Sequence, residues 1–176
     1  MIREYIRGVL FMSAVISTAF FLVFSVHALT PEQQEAKQFL DGVTQQAPFA
    51  GFERAHMQDV RTVLDWARIL SAILIVAALF ALGSATRTST VFAGTALILL
   101  PVLLAFIPWE QFFEGFHQLF FPQGNWVFPY DSQIIQTYPP KLFLWSAGAW
   151  GALCITSGLV LVLRKKILAP RSESST

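Results

Sequence analysis

The chain has 176 residues, of which 55% are hydrophobic and 13% charged, with a mean hydropathy of +0.56 and a formal charge of +1. A soluble domain carries about a quarter charged residues, so this composition suits lipid rather than water as solvent. The near-zero charge and lack of a basic run exclude a phosphate-reading surface and imply no nucleic-acid partner, and a single cysteine excludes a disulfide framework or a thiolate metal site.

In chain order, Arg3 and Arg7 lead into an uncharged apolar run that forms the first candidate span, about 8–29. Val26-His27-Ala28 imitates a small-residue cleavage site, but an uncharged run of about 22 residues exceeds the 7 to 15 of a signal peptide, which favours a retained helix. His27, with no chemistry around it, reads as structural. Thr30-Pro31-Glu32 then supplies an N-cap, a first-turn proline and an early acid, a helix start. The stretch Pro48 to Phe52 breaks that helix. From Glu53 the apolar residues Ala55, Val60, Val63, Leu64, Ala67 and Leu70 recur at three and four, predicting a helix that flows into a second span at about 69–85. His56, Asp59 and Val63 share one face of it.

The third span, about 91–107, holds Pro101, which predicts a kink and a freed carbonyl, and Pro108 closes it. Loop 109–141 is dense in aromatic residues. Phe112, Phe113, Phe116 and Phe120 fit a helical stripe, and Asn125-Trp126-Val127-Phe128 fits a short strand or extended turn. Interfacial anchoring explains the tryptophans and tyrosines; the phenylalanines fit better in a half-buried cap over the helices. The fourth span is about 142–163, Cys154 inside it reads as a small buried residue, and the tail after Pro170 reads as disordered. Each span falls within the roughly 17 to 25 residues that crossing requires.

With both termini inside, Arg3, Arg7, Arg87, Arg164, Lys165, Lys166 and Arg171 occupy short cytoplasmic segments, while Lys37, Arg54, Arg61, Arg68 and Lys141 spread over outer loops 30–68 and 109–141. The expected fold is therefore all-α: one integral membrane domain, residues 1–176, of four transmembrane helices with a small aromatic-rich extracytoplasmic cap.

His56 and His117 are the candidate chemistry. Both sit just outside a span, on one side of the membrane under this topology, and each follows a glutamate by three residues, Glu53 and Glu114. Imidazoles titrate near neutrality, so two at one boundary suit an acid/base pair or a metal site. A histidine at a helix end is more often a surface or hydrogen-bonded structural residue, and a Glu-x-x-His spacing is equally an ordinary solvated pair. Di-metal bundles use this motif twice with one further glutamate from each of two other helices. The spans here carry no acid, which leaves a mononuclear site of His56, His117 and a carboxylate as the metal alternative. No phosphate loop, Gly-x-Ser-x-Gly elbow or Cys-x-x-Cys is present. The residues thus admit an acid/base enzyme, a metal-dependent membrane enzyme, or a non-catalytic lipid-binding accessory protein.

One ordered series of motifs goes further. His56-Met57-Gln58-Asp59-Val60, then Phe116-His117-Gln118-Leu119-Phe120-Phe121, Asn125-Trp126-Val127-Phe128 and Asp131-Ser132-Gln133-Ile134-Ile135 leading to Tyr138-Pro139 resembles the bacterial lipoprotein intramolecular transacylase (Lit) family, small four-span membrane proteins. The resemblance runs from about Glu53 to the fourth span. It implies transfer of the sn-2 acyl chain of a diacylglyceryl lipoprotein to its N-terminal cysteine amine, in the bacterial inner membrane with the site at the outer face. A diacylated lipoprotein would be the substrate, membrane lipid the surroundings, and no metal or cofactor is called for. Matched to the family's motif, His56 and His117 would be the catalytic acid/base residues. Asp59 and Asp131 would orient them, and Arg61, Asn125 and Trp126 would be donors or pocket walls. The stretch between Thr30 and Glu53 reads as reduced for that family, which predicts an incomplete cap.

Overall fold

The computed structural model describes residues 1–26, 29–83 and 85–168, and among these the side chains of all but 24–26, 82 and 164–168. His27 and the tail 171–176 lie outside the described residues. The helices are α1 (Ile2–Val26), α2 (Pro31–Leu40), α3 (Gly51–Leu82), α4 (Arg87–Leu104), α5 (Trp109–Phe120), α6 (Gln133–Thr137) and α7 (Pro140–Leu168), and the described residues include no strand. The segment 125–128 is an extended turn, the second of the two forms its sequence allowed.

Four of these helices, α1, α3, α4 and α7, are long and apolar enough to cross a membrane. Large apolar side chains such as Ile73, Leu79, Phe80, Leu103 and Val160 face outward from the bundle. Leaving them in water would cost roughly 1.5–3 kcal/mol each, so the bundle is a membrane structure. Of α3, the part before Ile69 carries Glu53, Arg54, Asp59, Arg61, Asp65 and Arg68, and the part after Arg68 carries no charge. Only that second part suits the hydrocarbon core, and the first half, with His56, stands outside it.

Inside the bundle, α1 packs against α3, α4 and α7, and α4 packs most extensively on α7. Small residues make this possible, because lipid offers helices no hydrophobic reason to associate and close packing must supply the attraction. A Cβ on Gly94 of α4 would lie 2.8 Å from the Gly158 carbonyl of α7, and one on Gly158 would lie 2.6 Å from the Gly94 carbonyl. Pro101 is buried in α4, which continues through it, and Gly151 of α7 faces the proline ring. Trp150 donates its indole N–H to the Ile16 carbonyl at 3.2 Å, fastening α7 to α1. Cys154 is fully buried beside Ala19 and Leu97.

A separate small core forms the cap at one end. Ala36 and Phe39 of α2, Phe49, Met57 of α3 and Ile134 of α6 bury one another, with Phe128 and Tyr138 against them. The helix start at Thr30 is a capping box: its hydroxyl accepts from the Gln33 amide while Gln33 accepts from Thr30. The Gln33 side-chain amide then donates to the Thr137 carbonyl at 2.8 Å, joining α2 to α6. Arg68 of α3 reaches the Leu40 carbonyl and the Asp41 carboxylate beyond α2. At the other end of the bundle, Thr86 between α3 and α4 meets Glu4 of α1, which also pairs with Arg7.

Candidate active site

His56 lies five residues into α3 and His117 sits in the last turn of α5, so two elements separated by the α3–α4 hairpin deliver the two rings to the cap end. Their centroids are 6.0 Å apart and their planes differ by 28°. The placement of both histidines at one end of the bundle follows from the hairpin: α3 leaves the cap, α4 returns to it, and Pro108 turns the chain into α5.

Aromatic rings enclose the pair. Phe121 and Phe128 stand 4.8 and 5.5 Å from His56; Phe113, Trp126 and Phe121 stand 4.0, 5.0 and 5.6 Å from His117. His56 is 5% exposed and His117 is half-buried. Burial disfavours a charged imidazole. For His56 this burial, followed by the neighbouring His117 charge, outweighs the opposing pull of Asn125 and Asp59 and lowers the pKa to about 4. Burial also lowers that of His117, against the stabilising Phe113 carbonyl. Both rings are neutral at neutral pH, and charging one opposes charging the other.

The two rings differ in their hydrogen bonding. Nδ1 of His117 lies 2.8 Å from the Phe113 carbonyl oxygen. A carbonyl only accepts, so Nδ1 carries the proton and Nε2 the lone pair. The acceptor is the carbonyl four residues earlier, which explains why an aromatic face holds a correctly turned base without an acid beside it. Nδ1 of His56 is buried and has no partner, as is Oδ1 of Asn125.

Asp59 sits one turn after His56 and gathers the loop that follows α5. Its Oδ2 accepts from Gln123 Nε2 at 2.9 Å and from Asn125 Nδ2 at 2.6 Å. Asp59, Asn125 and Trp126 thus surround the two rings. Arg61 and Asp131 do not join them. The Arg61 guanidinium lies over Phe39, 5.1 Å from its centroid, and reaches the Thr44 carbonyl and Gln45, bracing α2 and the coil after it. Asp131 is exposed, and its backbone carbonyl accepts from Gln136.

Neither glutamate of the two Glu-x-x-His sites serves its histidine. Glu53 accepts the Ile134 amide N–H at 3.3 Å, at the start of α6, and Glu114 accepts from Gln118. Among the described residues no three His, Cys, Asp or Glu side chains group together as ligands would. The sequence showed Phe113 in a helical stripe and Phe121 in a motif without placing either beside the histidines, and it gave no sign of Gln123 or the five-residue α6. The spacing of four between Phe113 and His117 was the available signal for one of them.

Comparison with known proteins bears on the family and the fold. The family "Lipoprotein intramolecular transacylase Lit" matches residues 33–143, a span that holds every residue of the site. Curated proteins yield no match. Among solved structures, the membrane integral lipoprotein intramolecular transacylase Lit from Bacillus cereus, in an in meso structure, superposes with a TM-score of 0.69 at 16% identity, over 94% of this chain and 96% of that one. Such mutual coverage shows that the chain as a whole is not short relative to that protein.

Proposed function

Because this chain belongs to the lipoprotein intramolecular transacylase (Lit) family, we propose that it moves the sn-2 acyl chain of a diacylglyceryl lipoprotein to the amine of that lipoprotein's N-terminal cysteine, with His56 and His117 as the acid/base pair. The observation that supports this most is the 6.0 Å separation of two neutral imidazoles in an aromatic enclosure at the cap end.

The reaction needs two proton movements. The amine nitrogen loses a proton as it attacks the ester carbonyl, and the glycerol oxygen gains one as the ester C–O bond breaks and the amide C–N bond forms. A lyso-glyceride remains on the cysteine sulfur. A ring whose Nε2 carries a lone pair, as in His117, can accept the first proton. That same proton is then handed on to the glycerol oxygen, from the ring that took it or relayed through its neighbour, and mutual repulsion keeps the pair to one proton at a time. Nucleophile and ester belong to one molecule, so positioning carries much of the rate. Phe113, Phe121, Trp126 and Phe128 exclude water and accommodate acyl chains, while Asp59 holds the loop that carries Asn125 and Trp126.

The whole chain acts as one integral domain of the inner membrane, with both termini cytoplasmic and the cap at the outer face. The Arg164-Lys165-Lys166 cluster after the last span supports that orientation. The test is N-terminal mass spectrometry of lipoproteins from cells expressing the protein, His56→Ala or His117→Ala. The wild type should yield the N-acyl lyso form, and each variant should lose it while still accumulating in the membrane. Undiminished product from both variants would sink the reading.

A further inference from the structure

We infer that Asn125 is a positioning residue that accepts from His56 Nδ1–H and so holds His56 in the tautomer whose Nε2 bears the lone pair. The argument starts at Asp59. Its Oδ2 accepts from Gln123 and, at 2.6 Å, from Asn125 Nδ2, so the nitrogen of the Asn125 amide is turned toward Asp59. An amide has two ends, and fixing one fixes the other. Oδ1 therefore points away from Asp59, and it is buried with no donor bonded to it. The buried polar atom of His56 that lacks a partner is Nδ1. An unmatched acceptor and an unmatched ring nitrogen, both out of solvent, are each destabilising. Paired, they cancel. The Asn125 amide is also near enough to His56 to favour its protonated form, as an acceptor would.

The remaining groups around His56 offer Nδ1 nothing. Phe121 and Phe128 face it with rings, His117 stacks on it, and Asp59 spends Oδ2 on the two amides and makes no bond to Nδ1. The consequence rests on the transacylase reading above: both histidines would then carry the proton on Nδ1, one against a backbone carbonyl and one against a side-chain carbonyl, and both would present Nε2 to the substrate. Asp59 would act on His56 through the amide, which sets a neutral acceptor rather than a carboxylate against the ring nitrogen.

The test is 15N NMR of histidine-labelled full-length protein in detergent micelles near neutral pH, with His56→Gln identifying the His56 signals. In the wild type the protonated nitrogen of His56 should be Nδ1; finding it at Nε2 overturns the inference. Asn125→Leu removes the acceptor, and the proton should shift toward Nε2, with acyl transfer falling at least about tenfold, since a wrong imidazole tautomer is costly to acid/base catalysis. An unchanged tautomer in Asn125→Leu also overturns it. Asn125→Asp keeps an acceptor and should retain Nδ1–H while raising the His56 pKa. Loss of the Nδ1 proton there would count against the inference. These spectra need no substrate, so they stand apart from whether lipoprotein acyl transfer is observed.

Discussion

His56 is kept neutral by where it sits. With 5% exposure and no ion-pair partner, it resists protonation until about pH 4, well below the usual imidazole range near 6.5. The folded state thus binds fewer protons than the unfolded state between those two values. Stability should fall as pH drops from about 6.5 toward 4, by up to about 3 kcal/mol, and level off below. Thermal unfolding in micelles across that window checks this, and His56→Gln should flatten the slope. An unchanged midpoint in the wild type would contradict the burial of a neutral ring. Sequence spacing left open whether the two glutamates serve their histidines. Glu53 and Glu114 lie three residues before their histidines, but a side chain answers to whichever amide or donor it can reach, and for Glu53 that is α6.

Helices α4 and α7 show how little of a membrane bundle depends on hydrophobicity. Gly94 and Gly158 meet backbone to carbonyl, and a side chain on either would push the helices apart. Gly94→Leu should lower the unfolding midpoint in micelles by an amount equivalent to roughly 1–3 kcal/mol. An unaltered midpoint would mean that the two helices do not pack this closely. In the cap, Glu53 ties the first turn of α3 to the short α6, and five residues cannot hold a helix unaided. Glu53→Ala should cost about 1 kcal/mol and speed hydrogen exchange at the Ile134 amide, while leaving the bundle intact. Protection equal to wild type would show that the contact is dispensable. Helix α5 divides its faces differently: Phe113 and His117 turn inward, while Phe112, Phe116 and Phe120 stack along the outer face. That ladder accounts for phenylalanines that headgroup anchoring left unexplained.

The bundle as a whole has two unlike ends. Glu4, Arg7 and Thr86 meet at one, and the cap with both histidines closes the other. The proposed orientation puts the cap outside. In a Cys154→Ser background, Asp131→Cys should react with a membrane-impermeant maleimide on intact cells, and Glu4→Cys only after permeabilisation. The opposite labelling would invert the topology.

Composition and hydrophobic run length were enough to read four helices in a membrane, because lipid imposes a length and an apolarity that few other solvents do. The order of short motifs around His56, His117, Asn125 and Trp126 was likewise enough to suggest the family, since those motifs are local. Pairing was not legible. That Asp59 reaches Gln123 and Asn125 across some 65 residues, that His117 borrows a carbonyl from its own helix, and that Arg61 and Asp131 stand apart all depend on how the hairpin of α3 and α4 returns the chain to the cap. Local periodicity says which face a residue occupies on its own helix. Only packing of one helix against another decides what that face meets.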